Sequence, residues 1–203
     1  MIVRPTGERE WRVVPAVDEL VRAAADGDRI FVDIPIGLPA GPKERVCDQV
    51  ERLKLGRPRG SSVFRAPVRE VLEAPSFAEA GKISREHTAI DGGEGKGVTK
   101  QTFAIIPKIS EADKLMRICP KARGLVREIH PEVCFASLTG WRPMKHRKKT
   151  KAGFTERRAV LRMAWRDVDG LICDVLEKTL RKCVARDDIL DAAVAALTAC
   201  QDE

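Results

Sequence analysis

Tyrosine is absent from this chain, and aromatic residues make up only 4% of it. A base-stacking platform for single strands is therefore poorly supplied, and contact with nucleic acid is expected to work mostly through phosphates. No apolar run approaches the roughly 20 residues of a membrane span, so no membrane partner is expected. The start, Met1-Ile2-Val3-Arg4-Pro5, has no long apolar segment behind a basic end and does not read as a signal peptide. None of the six cysteines (Cys47, Cys119, Cys134, Cys173, Cys183 and Cys200) forms a C-x-x-C pair. That argues against a thiolate zinc site or a redox motif. Several of these cysteines lie in apolar runs and read as small core residues. With no export signal, a reducing cytoplasm is the expected location. The glycine-rich stretch 91–101 is not a P-loop, because Lys96 is followed by Gly97 where a P-loop has Ser or Thr. It reads as a flexible loop or as a lid over a site.

What is present suits one domain with a sizeable core. The chain has 203 residues, 43% of them hydrophobic and 33% charged. A single domain over 1–203 is expected, with a helical and loop insertion at about 40–120. The net charge of +7 and pI of about 9.3 favour an anionic partner, with RNA or DNA first.

Taken in order, Ile2-Val3 and 11–17 read as two strands of a hairpin, with 5–10 as its loop. Asp18 is placed to cap a short helix that Gly27 ends. The run 30–39 (Ile-Phe-Val-Asp-Ile-Pro-Ile-Gly-Leu-Pro) begins as a buried strand and is interrupted by Asp33. Pro35 ends regular pairing, and Gly37 and Pro39 allow a sharp turn. Either Asp33 is displayed at the carboxyl end of a central strand, where open α/β sheets place ligands, or it caps the turn that follows. A helix is expected over 43–55, with Val46, Val50 and Leu53 on its buried side, broken by Gly56 and Pro58. Arg52, Lys54, Arg57, Arg59 and Arg65 form a first basic cluster around that break. One or two short helices are expected in 66–88, and order resumes at 103–109 before a helix that starts at Ser110. The segment 125–132 reads as a strand ended by Pro131, with Glu128 and His130 on one face. Residues 144–151 are the strongest basic run, either a solvated face or a track for a phosphate backbone. Thr155 is placed to cap a helix, and a further helix is expected over 171–180. The last helix, 187–200, carries Asp187, Asp188 and Asp191. Acids in a first turn suit the helix dipole, but Asp191 lies further in and is flanked by apolar residues.

Asp33, Glu128, Asp188 and Asp191 converge if the two strands are neighbours and the last helix packs at their carboxyl ends. Converging carboxylates demand cations, and all-oxygen donors suit Mg²⁺ or Mn²⁺. Such a centre serves phosphodiester hydrolysis.

Several blocks carry a resemblance: Asp33-Ile34-Pro35-Ile36-Gly37-Leu38-Pro39, Arg45-Val46-Cys47-Asp48, and Gly60-Ser61-Ser62-Val63-Phe64 with Ala66-Pro67. The others are Lys100-Gln101 with 106–111, Glu128-Ile129-His130-Pro131-Glu132, Lys148-Lys149-Thr150, and Asp187-Asp188-Ile189-Leu190-Asp191-Ala192. Together they resemble an uncharacterised domain family described as predicted nucleases of the RNase H-like fold. The resemblance implies an α/β fold with a mixed sheet flanked by helices. Met1–Arg4 resembles the start of that family's second strand, so its first strand and leading acid are expected to be missing here. A second copy would then fill the gap by strand exchange, giving a homodimer. The implied activity is metal-dependent hydrolysis of nucleic acid, with Asp33, Glu128, Asp188 and Asp191 as ligands. His130 and Glu132 would serve as supporting or proton-transfer groups. Lys100, Lys108, Lys148, Lys149 and Arg59 would hold phosphates. The competing expectations are a nucleic-acid-binding module with weakened catalysis, and an enzyme acting on small nucleotides or phosphates.

Overall fold

The computed structural model describes residues 1–3 and 8–201. Its strands are short because polar or proline residues end each one. β1 (Ile2–Val3) pairs antiparallel with β2 (Arg9–Glu10). β3 (Ile30–Val32) pairs in parallel with β4 (Val126–Glu128), Val32 lying opposite Glu128. The expected hairpin partner over 11–17 is thus replaced by an earlier segment. Trp11 instead turns its Nε1 to Asp174 Oδ2 at 2.6 Å and packs on the helical core. Of the expected hairpin loop, residues 5–7 lie outside the described residues. The described strands form two separate pairs, not one mixed sheet.

Nine α-helices are seen among the described residues: α1 (Val17–Ala23), α2 (Val46–Arg59), α3 (Phe77–Thr88), α4 (Lys100–Ile118), α5 (Pro120–Leu125), α6 (Pro131–Leu138), α7 (Lys151–Ala164), α8 (Val168–Lys178) and α9 (Arg186–Gln201). Helix α9 packs against α6, α7, α8 and both strand pairs. Its alanines allow this close approach, and the core beside it holds Phe135, Leu161, Ile172, Leu190 and Val194, all almost wholly buried. A smaller cluster of Val21, Val32, Ala122 and Val126 covers the other side of β3 and β4.

Four local expectations are corrected. Ala16, not Asp18, precedes α1; Asp18 sits in its first turn and pairs with Arg22 at 2.8 Å. Helix α4 is continuous through Pro107, because Thr99 starts it early by accepting the Thr102 amide at 3.0 Å. Helix α7 likewise starts before Thr155, with Thr150 accepting the Gly153 amide. Helix α2 has the expected break, with Gly56 at φ +55°, but Val46, Val50 and Leu53 face solvent. Its inward side carries Asp48 and Leu55. An ion cluster, not an apolar stripe, docks its first turns.

The stretch 91–101, expected as a flexible loop or a lid, is tied to α3. Ser84 donates to the Lys96 carbonyl at 2.7 Å, and the Lys96 amide donates to Thr88 Oγ1 at 2.6 Å. A Cβ on Gly95 would lie 1.8 Å from the Arg85 carbonyl oxygen. Only Cys134 among the six cysteines is buried, and Cys47, Cys173, Cys183 and Cys200 are exposed. No helix among the described residues is long and apolar enough to cross a membrane.

Gly153 tests how tightly the basic segment is seated. A Cβ there would stand 2.0 Å from the Arg147 carbonyl oxygen. An alanine inside a helix normally gains about 1 kcal/mol over glycine. Here the clash outweighs that gain, and Gly153→Ala is expected to lose about 1–3 kcal/mol in urea denaturation. Equal or higher stability would refute the packing of segment 147–153 on α7.

Candidate functional site

Strand β3 ends at Val32, whose carbonyl accepts the Ile129 amide at 2.9 Å. The chain then leaves the sheet, and Asp33 emerges beside His130 at the carboxyl ends of both parallel strands. Gly37, at φ +76°, completes the turn that returns the chain. A small cleft at this point is lined by Asp33, Pro35, Arg45, Glu51, Phe64 and His130.

Beneath the cleft, Arg45 is held from several sides. It donates to Asp48 Oδ1 and Oδ2 at 2.5 and 3.1 Å, to Glu128 Oε2 and Oε1 at 2.7 and 2.8 Å, and to the Ile36 carbonyl at 2.9 Å. The Ile36 amide completes the set by donating to Glu128 Oε2 at 2.7 Å. Burial disfavours the guanidinium charge, but the hydrogen bonds and charges of Glu128 and Asp48 outweigh it and raise the Arg45 pKa. Glu128 was expected as a metal ligand. Both of its oxygens are engaged by Arg45 and the Ile36 amide, so the structure gives it a clamping place.

Asp33 is exposed, and the charges of His130, Lys148, Glu128 and Asp188 all act on it. Desolvation raises its pKa, Glu128 and Asp188 add to the rise, and His130 and Lys148 oppose it. Helix α9 supplies Asp187, Asp188 and Asp191. Lys148 Nζ bonds Asp191 Oδ2 at 2.7 Å and lies 3.9 Å from Asp187. Burial works against the Lys148 charge, yet Asp191, Asp187 and Asp33 raise its pKa. Asp191 is 8% exposed, and its Oδ1 is buried with no hydrogen-bond partner. Asp33 and Asp188 accept no hydrogen bond from the described residues.

The other expected residues are dispersed. His130 Nε2 lies 3.2 Å from the Ser62 carbonyl, to which it donates, and its Nδ1 is buried with no hydrogen-bond partner. Glu132 is locked to the buried Arg157, with Oε1 at 3.0 and 2.5 Å from Nε and Nη2. Its Oε2 is buried with no hydrogen-bond partner, and its charge acts on Asp191. Arg59 clips the Met144 and Lys145 carbonyls at 2.7 and 2.8 Å instead of presenting a free cation. Lys108 is tied to the Pro15 carbonyl and to Glu111. Lys100 is exposed at the start of α4, and Lys149 is exposed next to Lys148.

Glu51 is the residue that sequence reasoning missed. Desolvation raises its pKa, with Glu128 and Asp48 adding to the rise and His130 and Arg45 opposing it. The signal was the spacing of Arg45, Asp48 and Glu51, three apart on one helix face.

The family comparison can be set beside this geometry. A family model described as "Protein of unknown function (DUF429)" matches residues 1–202. The chain belongs to the DUF429 family. No curated protein and no solved structure matches it. The DUF429 match covers every element that builds the cleft.

Among the described residues, no three His, Cys, Asp or Glu side chains are gathered closely enough to hold an ion as they stand. In donor type, Asp33, Asp188 and Asp191 do fit a hard divalent cation, and the orphaned Asp191 Oδ1 is an acceptor awaiting a positive partner. Lys148 is the cation that contacts this acid group.

The Asp191 carboxyl is pushed up to about 6 by desolvation, against the pull of Lys148, with Asp33 and Glu132 adding to the rise. Between the ordinary carboxyl value and 6, the folded chain holds a proton that the unfolded chain has released. Folding stability therefore falls as pH rises through this window. The contribution is about 2–3 kcal/mol. The stability difference between the wild type and Asp191→Asn, followed by urea denaturation from pH 4 to 7, is expected to shift by that amount in favour of the variant. Parallel curves would show that Asp191 titrates normally.

Proposed function

We propose that this protein is a divalent-cation-dependent phosphodiester hydrolase acting on nucleic acid, built on an RNase H-like arrangement. The observation that carries the reading is that Asp33, at the end of β3, lies within electrostatic reach of Asp188 and Asp191 on α9, with Asp191 Oδ1 buried and unpaired. These three would hold Mg²⁺ or Mn²⁺. When bound, such an ion polarises a phosphoryl oxygen and lowers the pKa of water at the site.

The chain's own residues supply the rest. Arg45 holds Glu128 and the turn after Asp33 rigid, which fixes Asp33 relative to β4. Glu51, half-buried and with its pKa raised by desolvation, is the proton-transfer group in the cleft. His130 is a positioning residue: its Nδ1 is buried, and it tempers the charge of Asp33 and Glu51. Lys148 brings an ammonium to the acid group, where it can also meet a phosphate oxygen. Lys149 and Arg142 extend the positive charge along the surface, in keeping with the net charge of +7. A second reading, a nucleic-acid-binding module without catalysis, is favoured by Lys148 pairing with Asp191 where an ion would otherwise be held.

A labelled panel of single-stranded RNA, RNA–DNA hybrid, duplex DNA and branched DNA, run with Mn²⁺, Mg²⁺ or EDTA, separates the two. Cleavage is expected to need the metal and to fall by more than about 100-fold in Asp33→Asn and Asp191→Asn. Glu51→Gln is expected to lower kcat and flatten the pH profile while sparing KM. Salt-sensitive binding without cleavage would establish the binding module instead.

A further inference from the structure

Trp141 is the most exposed of the three tryptophans. Trp165 is buried, and Trp11 is half-buried with its indole nitrogen bonded to Asp174. Trp141 is 46% exposed and sits at φ +62°, a left-handed conformation that L side chains rarely adopt. That costs a bulky residue about 1–2 kcal/mol. Glycine or asparagine would make the same turn at less cost, so the turn itself does not call for an indole. The conformation is held by the end of α6. The Trp141 amide donates to Ala136 O at 2.7 Å, the Gly140 amide to Ser137 O at 3.1 Å, and Thr139 Oγ1 to Arg142 O at 2.7 Å. A strained residue that its surroundings over-determine points to a functional side chain.

The surroundings say what the side chain faces. Lys54 Nζ stands 4.1 Å from the Trp141 ring centroid. The chain from Trp141 onward carries Arg142, Lys145, Arg147, Lys148 and Lys149 and no acid before Thr150. This segment is firmly seated. Met144 is buried, Arg59 holds the Met144 and Lys145 carbonyls, and Glu156 accepts the Lys145 and His146 amides at 2.8 and 2.9 Å. It leads directly to Lys148, which bonds Asp191. An indole among cations is the arrangement that single-stranded nucleic acids take, with bases on the ring and phosphates on the lysines and arginines.

We propose that Trp141 is a base-stacking platform for single-stranded nucleic acid, at one end of a basic track over 142–149 that ends at the carboxylate cleft. The proposal rests on reading the partner of that cleft as nucleic acid. It narrows the substrate class to strands with at least one unpaired base a few nucleotides from the scissile phosphate.

The test is a fluorescence titration in EDTA. Oligo-dT, oligo-rU and a duplex of equal length are added to the wild type, Trp141→Phe and Trp141→Asn. Asparagine tolerates the left-handed backbone, and melting temperatures check that the variants fold. Single strands are expected to quench the exposed-tryptophan emission of the wild type more than the duplex does. Trp141→Asn is expected to weaken single-strand binding roughly tenfold without changing the salt slope, and Trp141→Phe to keep most of the affinity. Lys145→Ala is expected to reduce the salt slope instead. Unchanged binding in Trp141→Asn, equal quenching by the duplex, or no binding to any strand would overturn the platform. So would a concentration-dependent dimer that Trp141→Asn abolishes, since the ring would then belong to a contact between copies. Quenching without cleavage would leave the platform standing and remove the hydrolase. Metal-dependent cleavage unaltered by Trp141→Asn would do the reverse.

Discussion

The buried Arg45 guanidinium is the constraint on which the cleft depends. It joins three separate pieces of chain: the start of α2 through Asp48, the end of β4 through Glu128, and the turn after β3 through the Ile36 carbonyl. A buried charge is costly unless its partners satisfy it, and removing one partner leaves the others stranded. This set is closed almost completely, so it acts as a geometric lock. It also explains the outward face of α2. Once the ionic side of that helix is turned inward, Val46, Val50 and Leu53 are carried to the surface.

A second buried ion pair, Arg157 with Glu132, joins α7 to the start of α6. Arg157 also donates to the His146 carbonyl at 3.1 Å, which joins the core to the basic segment. Lys148 is thus delivered to the α9 acids by a backbone fixed from several directions. No arginine among the described residues pairs with the carboxylates of Asp33, Asp188 or Asp191, and Asp191 is paired with Lys148.

The cleft therefore separates its acids by environment. Glu128, Asp48 and Glu132 carry arginine partners, while Asp33, Glu51 and Asp191 are desolvated without a full set of donors. Burial raises the pKa of each acid of the second kind, and the two kinds are told apart by their partners, since the residue type is the same.

Much of this was legible from the chain. Asp33 after an apolar strand, the proline that ends pairing, the break at Gly56 and the acidic start of the last helix all follow from local chemistry. The basic run and the absence of a long apolar span are likewise compositional facts. Arginine partnership was not legible, because Arg45 and Glu128 are 83 residues apart and Arg157 and Glu132 are 25 apart. Helical spacing could not say which side of α2 is buried, since the inward side is ionic. Nor could it show that Trp141 stands exposed beside Lys54. By itself the sequence determined that pairing stops before Pro35 and before Pro131, that α2 breaks at Gly56, and which residues carry charge, because those depend on neighbours along the chain. The tertiary structure alone decided which acids are clamped and which are left open, because desolvation and ion pairing depend on neighbours in space.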